Sequence, residues 1–138
     1  MAKTIPHSVV VLFNKDHQVL LEERSDDGYF DFPGGGLDEN ESPLAGAKRE
    51  LFEETGLIAD ELELFKIYTG DITHYIYYNG NEIYGIDHIY ICNNKFHGKL
   101  TPQLSEVKSL EFYNLNNMPD KMSIRNKQII KDLLSEGK

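Results

Sequence analysis

Three consecutive glycines followed by a sharply delimited helix constrain this chain more than any other feature. Glycine permits main-chain conformations closed to other residues and lets the backbone approach a ligand closely, which makes Gly34–Gly36 a candidate binding loop. A helix is predicted just after it, because Ser42 suits the N-cap, Pro43 the first helical position and Gly56 the C-cap. A glycine loop held against a capped helix is therefore expected.

The predicted helix has an acidic side and an apolar side. At 100° per residue, Glu50, Glu53 and Glu54 share an arc of about 100°. Nearer the helix start the acidic side carries only Gly46 and Ala47, which predicts space for a ligand there. The expected packing face lies opposite the carboxylates and consists of Leu44, Ala45, Leu51 and Phe52.

Three clustered carboxylates on one helix need an explanation. Like charges three and four residues apart destabilise a helix unless a cation compensates for them. Oxygen ligands favour a hard ion, so the cluster predicts Mg²⁺ or Mn²⁺ rather than zinc. The helix alone is equally consistent with a solvated acidic face.

The other elements predict an α/β fold. Residues 8–13 and 18–23 are expected to form a hairpin, and the order of hairpin, helix, strands and helix favours a mixed α/β sandwich over a doubly wound parallel sheet. Later strands are predicted at Glu63–Ile67, Thr73–Tyr78, Ile83–Asn93 and Leu110–Leu115, with a turn at Asn79–Asn81. A second helix is predicted at Ser123–Leu134, with apolar members Ile124, Ile129, Ile130, Leu133 and Leu134.

Length and charge limit the classes of function. The 138 residues predict one domain, 1–138, and the net charge of −9 argues against nonspecific binding of nucleic acid or an anionic membrane. A phosphate substrate must therefore bring a cation. The single cysteine, Cys92, lies in an apolar run and is expected to be a core residue. With no disulfide pair and no apolar stretch near the ~18 residues of a membrane span, a cytoplasmic protein is expected.

The spacing from Gly35 to Leu57 resembles the signature of the Nudix hydrolase family in every fixed position, including Glu41 and the run from Arg49 through Glu54. Asp38 and Asn40 depart from the common form only at variable positions. The resemblance implies a Nudix-type α/β/α sandwich with a mixed sheet. It also implies hydrolysis of a nucleoside diphosphate linked to another moiety by attack of a metal-activated water on phosphorus. ADP-ribose, a nucleotide sugar, or a (d)NTP cleaved to NMP and pyrophosphate are the expected substrates, and small relatives often form homodimers.

The resemblance also implies roles for individual residues. Glu50, Glu54 and the Gly35 carbonyl are expected to bind the metal, with Glu53 either a third ligand or the general base. Arg49 is expected to orient these carboxylates by charge-assisted hydrogen bonds. Two positions complete the set: Glu41 is expected to tie the glycine loop to the helix, and Glu106 is a further candidate ligand or base, with Glu111 as its alternative. Both Glu106 and Glu111 are equally consistent with surface carboxylates.

Residues for the substrate are less sharply defined. Arg24 could meet a phosphate, and Tyr29, Phe30 and Phe32 flank the glycine loop and could stack on a base. Strand tyrosines could wall a pocket, although strand aromatics more often pack in a core; they are Tyr75, Tyr77, Tyr78, Tyr84 and Tyr90. No histidine has metal-ligand spacing. Two rival functions are a nucleotide-binding module without catalysis, which has no need of the full carboxylate set, and an isoprenoid diphosphate isomerase, which would need a reactive cysteine.

Overall fold

The computed structural model describes residues 2–76 and 79–138, so Tyr77 and Tyr78 lie outside the described residues. Its two helices are α1, Pro43–Thr55, and α2, Ile124–Ser135, with a short 3₁₀ helix at Gly70–Thr73. The strands are β1 Lys3–Phe13, β2 Val19–Arg24, β3 Phe30–Asp31, β4 Gly34–Gly36, β5 Leu57–Ala59, β6 Glu63–Tyr68, β7 His74–Ile76, β8 Glu82–Asn93, β9 Phe96–Gly98 and β10 Val107–Tyr113.

The main sheet is mixed, as the element order predicts. Its strands run in the order β10-β2-β1-β8-β6, while the short β3, β4 and β7 pair at the sides of β2, β1 and β8. β1 and β8 pair in parallel along their whole length, from Lys3 opposite Ile83 to Phe13 opposite Asn93, and the other pairings are antiparallel. The predicted α/β class is therefore confirmed.

The helices cover opposite faces of the sheet. Val9–Phe13 reads as an unbroken apolar run because both faces of β1 are buried. Alternate residues of the run divide between two cores, one closed by α2 and the other by α1. The α2 side contains Val9, Val11, Phe13, Leu21, Ile129 and Leu133, and the α1 side contains Val10, Leu12, Leu20, Ala47, Leu51 and Cys92.

The ends of α1 lie where the sequence predicts them. Ser42 accepts a hydrogen bond from the Ala45 amide at 3.1 Å, and Gly56 adopts a left-handed φ of 77° while its amide donates to the Phe52 carbonyl. These contacts satisfy main-chain groups that the helix leaves unpaired.

The packing face of α1 differs from the predicted one. Leu51 is buried as expected, but Leu44 and Ala45 are exposed and Phe52 is 54% exposed. The buried face is formed by Gly46, Ala47, Leu51, Glu54 and Thr55. A Cβ on Gly46 would overlap the Leu37 side chain, so this position is filled by the loop and does not provide ligand space.

Smaller differences arise where contacts distant in sequence decide the structure. Thr73 belongs to the 3₁₀ helix, β10 runs Val107–Tyr113 instead of Leu110–Leu115, and the apolar Ile124 and Leu134 of α2 are exposed. The short strands β3, β4, β5 and β9 carry no pattern of their own, because each depends on pairing with another segment. Neither described helix is both long and apolar enough to cross a membrane.

Candidate active site

A cavity of about 640 Å³ lies between the glycine loop, α1, β2, β8 and the start of α2. Two groups of polar side chains line it. Glu22, Glu50 and Glu54 form the first, here called the carboxylate cluster, and Glu106 also lines the cavity. Asp31, Asp87, Arg125 and Asn126 form the second, here called the α2 cluster.

Glu54 is the most enclosed carboxylate of α1. Its side chain is on the buried face of the helix, where the residue is only 6% exposed, and its Oε1 accepts a hydrogen bond from the Gly34 amide at 2.8 Å. Burial raises the pKa of the Glu54 carboxyl, and the charge of Glu50 raises it further. The glycine loop is thus joined directly to the last turn of the helix.

Glu22 lies beside Glu54 and was not singled out from the sequence. It continues β2 beyond three buried apolar residues and is itself 3% exposed. Burial raises the pKa of its carboxyl strongly, and the charges of Glu54 and Asp31 raise it further. The sequence does show that Glu22 lies on the same face of β2 as the apolar Leu20. This alternation does not show which residue of α1 Glu22 would contact.

Glu50 approaches the glycine loop so closely that a side chain at position 35 would displace its carboxylate. A Cβ on Gly35 would lie 2.7 Å from Glu50 Oε1. Burial raises the pKa of the Glu50 carboxyl, while Arg49, whose Nη1 donates to its Oε1 at 3.0 Å, opposes that rise. The Glu50 carboxylate therefore lies directly against Gly35.

Arg49 connects three carboxylates to the glycine loop. Its Nε and Nη2 donate to the two oxygens of Glu41 at 2.8 and 3.0 Å, and Nη2 also donates to the Gly36 carbonyl at 3.1 Å. Its Nη1 donates to Glu50 and to Glu53, at 3.0 and 3.1 Å. The hydrogen bonds from Arg49 lower the pKa of the Glu41 carboxyl to about 2.

The carboxylates predicted as ligands or bases are not all brought together. Glu53 is 47% exposed and bonds to Arg49 outside the cavity wall. Glu106 lines the cavity, and its carbonyl accepts a hydrogen bond from the Ser25 amide at 3.0 Å. Glu111 is an exposed residue of β10 outside the cavity lining. Of the three candidate bases, Glu106 therefore lines the cavity and Glu53 and Glu111 do not.

The donor set of the carboxylate cluster suits a hard divalent cation. Within residues 2–76 and 79–138, no three His, Cys, Asp or Glu side chains already stand as a ready-made metal site. Mg²⁺ typically needs only one or two carboxylates, because waters and substrate phosphates complete its octahedral shell. Across the same residues no ion pair neutralises Glu22 or Glu54, and Glu22 Oε2 is buried without a hydrogen-bond partner. A cation would supply the missing compensation.

The α2 cluster joins α2 to two strands. Arg125 donates from Nη1 to Asp87 and from Nη2 to Asp31, both at 3.1 Å, and Asn126 Nδ2 donates to Asp31 at 2.7 Å. His7 Nδ1 lies 3.2 Å from Asp87 Oδ1. Burial works against the charged form, but His7 and Arg125 outweigh it and lower the pKa of Asp87. In the sequence, Asp87 stands out as a charged residue inside an apolar strand, but this pattern does not show which residue it contacts.

The aromatic residues expected to stack on a base have different environments. Tyr29 is exposed at the cavity rim, with the Lys121 ammonium 5.3 Å from its ring centre. Phe30 lines the cavity and makes an edge contact with Tyr113 at 5.9 Å. Phe32 is 1% exposed and packs in the α2-side core, although it also borders the cavity, and its stacking on a base stays a prediction.

The tyrosines of the strands also lie in different environments. Tyr75 lines the cavity, Tyr84 stacks on His74 with ring centres 4.7 Å apart, and Tyr90 is buried in the core. The expectation for Tyr77 and Tyr78 falls outside the described residues.

Arg24 faces the cavity but already contacts three aspartates. Its guanidinium lies 2.8 Å from Asp26, 3.6 Å from Asp27 and 3.9 Å from Asp31. A phosphate would have to compete with these carboxylates for the same charge.

Cys92 is a core residue, as predicted. Its side chain is fully buried and its Sγ donates to the Lys95 carbonyl at 3.3 Å. Burial raises the pKa of the thiol, which disfavours the reactive thiolate an isomerase would need.

Comparison with known proteins identifies relatives of this chain. The RNA pyrophosphohydrolase of Helicobacter pylori strain G27 is 26% identical over 94% of this chain and 90% of its own length. Other curated relatives match over shorter stretches, so that the chain spans 39% of the length of one and 42% of another.

Solved structures share the fold. A MutT NUDIX hydrolase from Burkholderia pseudomallei superimposes with a TM-score of 0.79 at 19% identity, over 94% of this chain and 97% of that one. The NUDIX domain of Shewanella oneidensis NrtR, solved in complex with ADP ribose, gives 0.74 at 19% identity, over 100% and 90%. The model of the NUDIX domain matches residues 3–133. With the Gly35–Leu57 signature folded as described, the chain belongs to the Nudix hydrolase family.

Proposed function

We propose that this protein hydrolyses a nucleoside diphosphate linked to another moiety, with Mg²⁺ or Mn²⁺ as its cofactor. The observation that carries the proposal is that Glu54, bonded to the Gly34 amide, and Glu50, which lies against Gly35, both line one cavity. A binding module without catalysis would not require this arrangement.

Glu50, Glu54 and the Gly35 carbonyl would hold the cation. When bound, a divalent cation neutralises phosphate oxygens, lowers the pKa of bound water and offsets the charge of the leaving group. Arg49 holds Glu50 and keeps the glycine loop against α1 through Gly36. The residues of the chain thus orient the ligands, which is the usual contribution of a protein to such a centre.

Glu106 is proposed as the group that accepts a proton from the attacking water. It lines the same cavity as the carboxylate cluster, whereas Glu53 is not among the lining residues and is bonded to Arg49. A general base must come within hydrogen-bond reach of the water, directly or through another water, and only a residue of the cavity wall meets that condition.

The α2 cluster is proposed to receive the nucleoside part of the substrate. Its hydrogen-bonding side chains lie in the same cavity as the carboxylates, and about 640 Å³ is in the ordinary range for a small-molecule site. The likeness to a domain solved with ADP ribose supports a nucleotide sugar as the first substrate to test.

A second candidate is pyrophosphate removal from the 5′ end of RNA. The name of the H. pylori relative favours it. The net charge of −9 opposes it, because an acidic surface repels the rest of an RNA chain. A short triphosphorylated RNA therefore belongs in the substrate panel.

The experiment is a hydrolysis panel with product analysis. ADP-ribose, nucleotide sugars, (d)NTPs and triphosphorylated RNA are incubated with Mg²⁺ or Mn²⁺, and Glu54→Gln is tested beside the wild type. We expect metal-dependent release of a monophosphate product from at least one substrate. Glu54→Gln should lose most of that activity with an unchanged circular dichroism spectrum. No release from any substrate would support a binding module, and near-normal turnover of Glu54→Gln would overturn the assignment of the site.

Location and assembly stay predictions. The single buried Cys92 supports a reducing compartment such as the cytoplasm. A homodimer is tested by sedimentation of the purified protein.

A further inference from the structure

Glu22 occupies a position that its strand would ordinarily give to an apolar residue. Val19, Leu20 and Leu21 precede it in β2 and are all buried, and Glu22 itself is 3% exposed. Burying a carboxyl group is costly unless a partner compensates for it. Glu22 Oε2 has no hydrogen-bond partner within the described part of the chain, so this oxygen is buried without a protein partner.

The direction of the Glu22 side chain follows from the alternation of β2. Residues two apart share a face of the sheet, so Glu22 lies on the same face as Leu20, which packs in the α1-side core. The helix that covers this face also carries Glu54, and both side chains line the cavity. Glu23, one residue later, points to the opposite face and contacts Ser109 at 3.2 Å.

The positive charges near Glu22 are engaged elsewhere. Arg24 shares its face but pairs most closely with Asp26, at 2.8 Å. Asp31, the antiparallel partner of Glu22 in β3, accepts from Arg125 at 3.1 Å. Two buried carboxylates, Glu22 and Glu54, are therefore left side by side where a small cation could bridge them.

We propose that Glu22 is a further ligand of the divalent cation, supplied by β2 and lying outside the Gly35–Leu57 signature. The inference rests on the proposed function, since it concerns the same cation. It adds a link from the strand to the helix: the cation would bind across β2 and α1 instead of to the helix and glycine loop alone. Occupation of the site would then stabilise the contact between these two elements.

A purely structural role predicts different behaviour. If Glu22 only donates a hydrogen bond to Glu54 as a neutral acid, glutamine can replace it, because the glutamine amide also donates. Cation affinity would then be unchanged in Glu22→Gln. A ligand role requires a carboxylate, so the same substitution must weaken cation binding.

The test measures cation binding without nucleotide. Mn²⁺ is titrated into the full-length wild type, Glu22→Gln, Glu22→Asp and Glu23→Gln, and free Mn²⁺ is read from its electron paramagnetic resonance signal. We expect Glu22→Gln to weaken Mn²⁺ binding by about 10-fold or more, Glu22→Asp to weaken it less, and Glu23→Gln to bind as the wild type does. Wild-type affinity in Glu22→Gln would overturn the inference.

Thermal unfolding supplies a second readout that needs neither nucleotide nor catalytic activity. In EDTA, Glu22→Gln should unfold at the same or a higher temperature than the wild type, because one buried carboxylate has been removed. Added Mg²⁺ should raise the unfolding temperature of the wild type and of Glu23→Gln by more than that of Glu22→Gln. An equal Mg²⁺-induced rise in all three proteins would count against Glu22 as a ligand.

Glu54→Gln separates this inference from the proposed function. If Glu54→Gln loses Mn²⁺ binding while Glu22→Gln retains it, only the role of Glu22 fails. If neither substitution changes Mn²⁺ binding, the cation site of the proposed function fails as well.

Discussion

Arg49 shows why one residue type is required at one position of α1. Its planar guanidinium donates in two directions, from Nε and Nη2 to Glu41 and from Nη1 to Glu50 and Glu53. Lysine carries the same charge as a single point donor and cannot reproduce this geometry. The expected orienting contacts to the helix carboxylates, and the expected link from Glu41 to the loop, are both present in the structure.

Arg49→Lys tests this residue. The substitution keeps the positive charge but removes the planar set of guanidinium N–H donors. We therefore expect hydrolytic activity and Mn²⁺ affinity to fall by about 10-fold or more. Lys48→Arg, an exposed neighbour, is the matched control and should behave as the wild type. Turnover of Arg49→Lys within a factor of two of the wild type would show that Arg49 does not position the carboxylates.

Helix α1 is delimited by local signals but oriented by distant ones. Ser42 and Gly56 act through neighbouring main-chain groups, so both ends can be predicted from the sequence. The face that packs cannot, because Leu37 covers Gly46 and the sheet receives Ala47 and Leu51. The rotation of the helix places Glu54 inside and Phe52 outside, which hydrophobicity alone would not predict.

Gly56→Ala tests the end of α1. The position has φ +77°, and an added Cβ would lie 2.5 Å from the Lys99 carbonyl oxygen, so strain and a clash add together. We expect the free energy of unfolding to fall by about 2 kcal/mol or more, measured by urea denaturation with an unchanged m-value.

Gly70→Ala is the control for that substitution. Gly70 has a similar φ of +85°, but no atom of the described residues lies within 4 Å of an added Cβ, so only the strain of about 1 kcal/mol should appear. Equal losses in the two variants would show that the contact with Lys99 does not matter.

At the scale of the whole molecule, the cavity is lined by residues from α1, from the start of α2 and from the sheet between the two helices. β8 presents Asp87 to the α2 side, and β3 presents Asp31 beside it. Arg125 at the start of α2 reaches both. Three segments far apart in sequence are thereby held together around the proposed nucleoside site.

Arg125→Ala tests that connection. Removing the guanidinium leaves Asp87 buried with less compensation, so we expect a loss of about 2 kcal/mol in the free energy of unfolding. In the double variant with Asp87→Asn, the loss should be smaller than the sum of the two single losses by about 1 kcal/mol. Additive losses would mean that the two side chains do not stabilise each other.

Most of the site on α1 was predictable because its signals are local. Helix capping and the spacing of Glu50, Glu53 and Glu54 depend on residues within a few turns of one another. Which of these carboxylates reaches the cavity is harder to predict, because the arc of a helix does not show which of its edges meets the cavity.

The amino-acid sequence by itself predicted the two helices, the long strands, the α/β class and the acidic helix beside a glycine loop, because the patterns that signal them lie within short segments. Only the tertiary structure decided the partner of each polar side chain. Sheet pairing set Glu22 opposite Asp31, packing of α1 brought Glu54 to Glu22, and α2 carried Arg125 to Asp87. Such meetings depend on register and on the rotation of packed helices, which no local pattern of residues records.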